Sequence, residues 1–202
     1  MLYTFEGIDG AGKTTVMKGV YHKLRSSMYQ IQKDFFMTSE PRGTTFGELI
    51  AVGAEENKVS KECSQLIMAA CHMHHWDKFL EPLLNAGASI LCDRYLDSFE
   101  AYQGMKITYA FLDWDFQKHL DVITKTFYLR VSPDTAIQRI YQRAPKGAVI
   151  KEDWHHLNKV GERYDAIVND PMNKGRFVTL NAEVMDVVEL VNAIYDYIVS
   201  DL

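Results

Sequence analysis

Cysteine is scarce in this chain. Cys63, Cys71 and Cys92 are the only three, and no two of them form a Cys-x-x-Cys pair. That shortage excludes a disulfide framework and a thiolate-clamped metal, and the odd count fits a reducing compartment. Long apolar runs are missing too. No stretch nears the roughly 20 residues of a bilayer-spanning helix, and the N-terminus enters a strand-like pattern without the blocks of a signal peptide. Basic charge is in deficit, with 22 Lys and Arg against 27 Asp and Glu and a formal charge of −5. A general binder of nucleic acid or membrane surfaces is therefore not expected, and any basic site has to be local. Internal repeats and low-complexity linkers are lacking as well. What these absences leave is a soluble, cytoplasmic protein.

Hydrophobic residues make up 47% of the 202 positions, enough for one sizeable core and a single domain over 1–202. The organising stretch is Met1 to Thr14. Leu2 to Glu6 is a short apolar run that suits a buried strand. It leads into Gly7-Ile8-Asp9-Gly10-Ala11-Gly12-Lys13-Thr14, which fits G-x-x-x-x-G-K-[ST] at every fixed position. The glycines let successive N–H groups surround phosphate oxygens, and the following helix aims its N-terminal dipole at the same anion. Lys13 then reaches the β/γ-phosphates and the Thr14 hydroxyl binds Mg²⁺. ATP with Mg²⁺ is the expected ligand.

Beyond the loop, Val16, Val20 and Leu24 give the stretch from Thr14 to about Met28 an apolar helical face. Asp34 to Thr38 reads as a second strand that opens into the Pro- and Gly-marked loop Ser39 to Thr44. Glu62 to Leu84 has helical spacing, and Ala88 to Cys92 is a third strand delivering Asp93-Arg94-Tyr95. Helical segments from about Ser98 to Gln103 and Tyr109 to Leu120 precede a fourth strand, Lys125 to Val131. Ser132 as N-cap with Pro133 behind it starts the next helix, which breaks at Arg143 to Gly147. Another helix begins near Glu152, and Arg176 to Leu180 is a fifth strand. In the last helix Val184, Val187, Val188, Val191, Ile194, Tyr195 and Ile198 are expected on one docking side. The alternation predicts an α/β fold, a five-stranded parallel sheet flanked by helices. Ligands of such sheets sit beyond the carboxyl ends of the strands, where the glycine-rich loop, Glu40 to Thr44 and Asp93 to Tyr95 all fall.

Phosphoryl transfer needs charge neutralisation more than covalent work. Asp93, closing an apolar strand, suits Mg²⁺ held directly or through water, and Arg94 can clamp phosphate oxygens with its planar fork. Asp9 sets a carboxylate among phosphate-binding amides, where it can meet a hydroxyl of an acceptor or Mg²⁺ through water. Arg139, Arg143, Lys146 and Lys151 straddle the break at Pro145 and Gly147 in the manner of a short mobile lid, approximately 143–152.

These residues resemble a known family. Phe5 to Thr15 looks like the phosphate loop of the thymidylate kinases, so that Gly7, Gly10, Ala11, Gly12, Lys13, Thr14 and Thr15 are expected on ATP. Asp93-Arg94-Tyr95-x-x-Ser98-x-x-Ala101-Tyr102-Gln103-Gly104 is similar to that family's second signature. Thr38-Ser39-Glu40-Pro41-Arg42-Gly43-Thr44 resembles its third, usually Thr-Arg-Glu-Pro-Gly-Gly-Thr in bacteria. The resemblance implies a homodimeric enzyme that moves the γ-phosphate of ATP to the 5′-phosphate of a deoxypyrimidine nucleotide, dTMP in the first instance. It implies Lys13 and Arg94 on the phosphates in flight, Thr14 and Asp93 on Mg²⁺, and Asp9 on the acceptor's sugar or phosphate end. Ser98 and Tyr102 would border base and sugar, Arg42 the acceptor phosphate, and Arg143 would be the foremost lid arginine.

One stretch departs from the family. Where it usually has Phe-Ala-x-Asp-Arg, with the Phe on the thymine ring and the Arg on O4, this chain has Met68-Ala69-Ala70-Cys71-His72. Met68 can cover a ring face, and His72 can donate one hydrogen bond to the base edge, so a related or modified deoxypyrimidine monophosphate is an alternative acceptor. His72 and His75 share a helix face and His74 lies off it, a spacing that does not suggest a zinc centre. Two rival readings are a deoxynucleoside kinase acting on a free nucleoside and a phosphate-loop protein that binds nucleotide without transferring phosphate.

Overall fold

The N-terminal strand β1 (Leu2–Glu6) is buried at all five positions, as its apolar and aromatic run requires. In the computed structural model, which describes residues 1–27, 33–41, 60–103, 116–145 and 153–202, it is the middle of a parallel sheet. The other strands of that sheet are β2 (Phe35–Ser39), β3 (Ser89–Asp93), β4 (Ile123–Arg130) and β5 (Phe177–Asn181), in the order β2-β3-β1-β4-β5. Every pair is parallel. The chain passes first to one side of β1 and then to the other, so a crevice opens beside its carboxyl end. Register brings the ends of three strands level there, with Phe5 opposite Asp93 and Asp93 opposite Ser39.

The helices follow the expected order. They are α1 (Lys13–Ser26), α2 (Lys61–His75), α3 (Glu81–Asn85), α4 (Leu96–Gln103), α5 (Phe116–Asp121), α6 (Pro133–Arg143), α7 (Trp154–Asn169) and α8 (Val187–Asp201). The long helix expected over Glu62 to Leu84 is α2 and α3 joined through a π-helical turn at Trp76–Leu80. Ser132 caps α6 by accepting a hydrogen bond from the Thr135 N–H, with Pro133 in its first turn. Most of the helix expected over 109–120 lies outside the described residues.

Phe5, Val16, Val20, Leu24, Phe127, Ile194 and Ile198 belong to one continuous core. A second cluster gathers Leu2, Leu80, Ile90, Cys92, Tyr95, Leu96 and Phe99. Two details of the sequence reading need correction. The third strand runs Ser89–Asp93, one residue later than Ala88 to Cys92, with Asp93 closing it. The buried stripe of α8 is Leu190, Ile194 and Ile198, with Val187 and Val188 exposed and Val184 ahead of the helix. A capping box between Asp186 and Glu189 starts the helix there, which fixes the face it turns to the sheet.

Candidate active site

Between β1 and α1 the chain turns through Gly7, Gly10 and Gly12, all at positive φ. A Cβ on Gly7 would lie 2.6 Å from the Leu129 carbonyl oxygen, and one on Gly10 would lie 2.4 Å from that of Ala136. Gly12 is the N-cap of α1 at φ +94°, and no side chain caps the helix. The first N–H groups of α1 thus face outward without a side-chain acceptor, the arrangement that receives an anion.

Lys13 is buried within this turn, and its ammonium donates to the carbonyls of Gly7 and Ile8 at 2.9 Å each. Burial pushes its pKa down and Arg94 adds to the effect, against the opposing pull of Asp9, Asp93 and Glu6. An incoming polyphosphate supplies the negative charge that such a lysine lacks. Thr14 Oγ1 donates to Asp93 Oδ2. Asp93 Oδ1 is buried and has no hydrogen-bond partner among the described residues. A hydroxyl beside a carboxylate with a spare oxygen is a donor set that fits Mg²⁺, which prefers oxygen ligands and retains water.

Arg94 follows β3 at φ +69°, with its N–H donating to the Phe5 carbonyl at 3.0 Å. Its Nη2 donates to Asp9 Oδ1 at 2.6 Å, and its Nη1 to Ser98 Oγ at 3.2 Å. The guanidinium also lies over the Tyr102 ring, 4.9 Å from its centroid. Tyr102 closes the cluster: its hydroxyl donates to Asp9 Oδ2 at 3.0 Å and accepts from the Asp9 N–H at 2.9 Å. Burial first of all pushes the Tyr102 phenol up to about 12, so it remains a donor at neutral pH. For Asp9, burial alone would raise the carboxyl, but Arg94, Lys13 and Tyr102 together hold it below its ordinary value. The arrangement is a fixed cation and a fixed anion side by side, next to the phosphate cradle.

Asp9, Gly10, Gly12, Lys13, Thr14 and Asp93 line one cavity with Arg94, Ser98, Tyr102, Met68 and Arg143. Gly7, Ala11 and Thr15 shape the loop without lining that cavity. Arg143 ends α6 and lines the same cavity. Arg139 is turned away, donating to the Ala182 carbonyl at 2.7 Å. Arg42, Lys146 and Lys151, with the rest of the expected lid over 146–152, lie outside the described residues.

The structure does not bring His72 to the cavity wall. Its ring is completely buried, flanked by Tyr95 and Phe99, and its Nδ1 lies 2.7 Å from Glu40 Oε2. The expected donor to a base edge is instead engaged by the carboxylate that follows β2. His75, on the same face, lies 2.7 Å from Glu40 Oε1 through its Nδ1.

Glu6 escaped the sequence reading. Its Oε1 accepts from the Tyr95 N–H at 2.7 Å, and its Oε2 from Ser98 Oγ at 2.6 Å and the Tyr164 hydroxyl at 2.8 Å. Burial, with repulsion from Asp97, pushes this carboxyl up to about 7 against the opposing effect of Ser98, Arg94 and Tyr164. The available signal was a carboxylate ending an otherwise apolar strand.

A family model described as Thymidylate kinase matches residues 5–194. A thymidylate kinase of Mycoplasma mobile is 30% identical over 194 residues, covering 91% of this chain and 90% of that protein. A thymidylate kinase of Bacillus pumilus is 29% identical over 198 residues, covering 94% and 92%. The family match spans the glycine-rich loop, the Asp93-Arg94 strand end and the start of the last helix.

Proposed function

The chain belongs to the thymidylate kinase family, and on that premise we propose that it transfers the γ-phosphoryl group of ATP to the 5′-phosphate of dTMP, giving dTDP and ADP. The observation that carries this reading is the convergence of two charge systems in one cavity. The Lys13–Thr14–Asp93 cradle takes the triphosphate, and the Asp9–Arg94–Tyr102 cluster faces a second ligand. A protein that only bound ATP would have no use for the second.

In this reading the acceptor's 5′-phosphate oxygen forms the new bond to the γ-phosphorus while the bond to the β–γ bridging oxygen breaks. No side chain has to remove a proton, because the attacking oxygen is already anionic. Lys13 exchanges the Gly7 and Ile8 carbonyls for phosphate oxygens. Arg94 stabilises the charge that moves between donor and acceptor. Asp9 and Tyr102 orient the guanidinium and border the acceptor's sugar, with Ser98 beside them. Thr14 and Asp93 would hold Mg²⁺, which when bound neutralises the β/γ oxygens. We assign Met68 to the base, Arg42 to the acceptor phosphate and Arg143 to the phosphates in flight, with a lid at approximately 143–152 of a single kinase domain as part of the same proposal. A homodimer in the cytoplasm completes the proposal, and light scattering tests the assembly. Among the described residues, no helix is long and apolar enough to cross a membrane.

A coupled ADP-release assay tests the reaction across all dNMPs and rNMPs, with thymidine alongside. The expected order puts dTMP first, with a related or modified deoxypyrimidine monophosphate as the variant to watch. Thymidine outpacing dTMP would make this a nucleoside kinase, and silence with every acceptor would leave only nucleotide binding.

A further inference from the structure

The histidines of α2 belong to a chain of hydrogen bonds that ends on the cavity wall. Thr38 Oγ1 lies 2.7 Å from His75 Nε2, and His75 Nδ1 lies 2.7 Å from Glu40 Oε1. His72 Nδ1 takes the other carboxylate oxygen at 2.7 Å. The His75 ring is held flat against Phe79, 5.4 Å between centroids and 14° between planes. Thr38 and Glu40 line the same cavity as Lys13 and Arg94, and so do Met68 and Phe99.

Burial on its own would raise the Glu40 carboxyl, but His72 and His75 outweigh it and hold it below its ordinary value. Glu40 is therefore a carboxylate and can only accept. In the Nδ1–H tautomer of His75, Nδ1 donates to Glu40 and Nε2 offers a lone pair to Thr38. In that tautomer Thr38 gives its one hydroxyl proton to Nε2, and its oxygen keeps the capacity of an acceptor.

The position of this acceptor selects its partner. Thr38 is on β2, two strands away from β1 and its phosphate loop, a displacement of roughly 10 Å across the sheet. That sets it across the cavity from Lys13 and Thr14, in a wall that also includes Met68. Thymine joined to its sugar through N1 carries a single N–H, at N3. We propose that Thr38, oriented by His75 and Glu40, is a specificity-determining residue that accepts a hydrogen bond from N3–H of the acceptor's base. The proposal rests on the dTMP kinase reading and assigns His75 a positioning role.

Steady-state rates for the full chain and its Thr38→Val and Thr38→Ser variants, with dTMP and N3-methyl-dTMP, test it. The unaltered protein should favour dTMP over the methylated nucleotide by about tenfold or more in kcat/KM, the scale of one buried hydrogen bond. Thr38→Val should raise KM for dTMP by about tenfold, leave KM for ATP unchanged and erase most of that preference. Thr38→Ser should keep it. Long-range ¹H–¹⁵N spectra of the unaltered protein should show His75 as the Nδ1–H tautomer. An active enzyme whose Thr38→Val variant binds and discriminates as before overturns the inference alone, and so does an Nε2–H tautomer. An unaltered protein that does not phosphorylate dTMP overturns the functional reading first.

Discussion

Arg94 presents its guanidinium from a left-handed backbone, φ +69°, which costs a non-glycine residue about 1–2 kcal/mol. The fold holds it there through the Arg94 N–H on Phe5 and the Cys92 thiol on the Arg94 carbonyl, each at 3.0 Å. That conformation turns the residue from the strand end towards Asp9. Arg94→Ala should lower kcat by about a hundredfold or more, the loss typical of one preorganised transition-state donor. Arg94→Lys should recover little of it, because the fork that meets Asp9 and Ser98 at once is gone. Full turnover by Arg94→Ala would remove Arg94 from the chemistry. Asp93→Asn should raise the Mg²⁺ concentration for half-maximal rate by about tenfold or more, read from a metal titration at saturating ATP. An unchanged Mg²⁺ requirement would take Asp93 out of the metal site. Both residues were legible because they sit in a short motif at a strand end. His72 was not. Its role depends on where the loop after β2 brings Glu40, a contact between residues 32 positions apart, and helical spacing reports only the face, not what meets it.

Elements were read well wherever period and punctuation agreed. Ser132-Pro133 began α6 as expected, and each strand of the sheet fell within two residues of its place. The last helix shows where the pattern misleads. Its sequence is apolar on more than one side, so spacing alone admits several stripes, and packing against α1 selects Leu190, Ile194 and Ile198. Ile194→Ala should therefore destabilise the fold by about 2–5 kcal/mol through lost burial and the cavity left behind. Val188→Ala, at a 67% exposed position, should fall within about 0.5 kcal/mol of the parent. Urea denaturation of the two variants checks this. Equal losses would show that Val188 is covered, as it would be at a subunit interface, and its loss should then depend on protein concentration.

At the scale of the whole molecule, Glu6 joins parts of the chain that no local pattern connects. Its carboxyl, at the end of β1, takes a backbone N–H just after β3, the Ser98 hydroxyl of α4 and the Tyr164 hydroxyl of α7, 158 positions away. The folded chain keeps this carboxyl protonated up to about pH 7, whereas unfolded it ionises near its ordinary value of 4.5. Between those values the native state holds the extra proton. Stability from this group is therefore complete below about pH 4.5 and is lost as the pH rises through about 7, by at most about 1.4 kcal/mol per pH unit. Glu6→Gln keeps a carbonyl oxygen for the Tyr95 N–H and removes the titration. Chemical denaturation at pH 5, 6, 7 and 8 should then show a gap between variant and parent that moves in the variant's favour as the pH rises. The comparison cancels histidines and other groups common to both proteins. A constant gap across that range would mean that Glu6 is already ionised in the fold, with its three donors fully stabilising a buried anion.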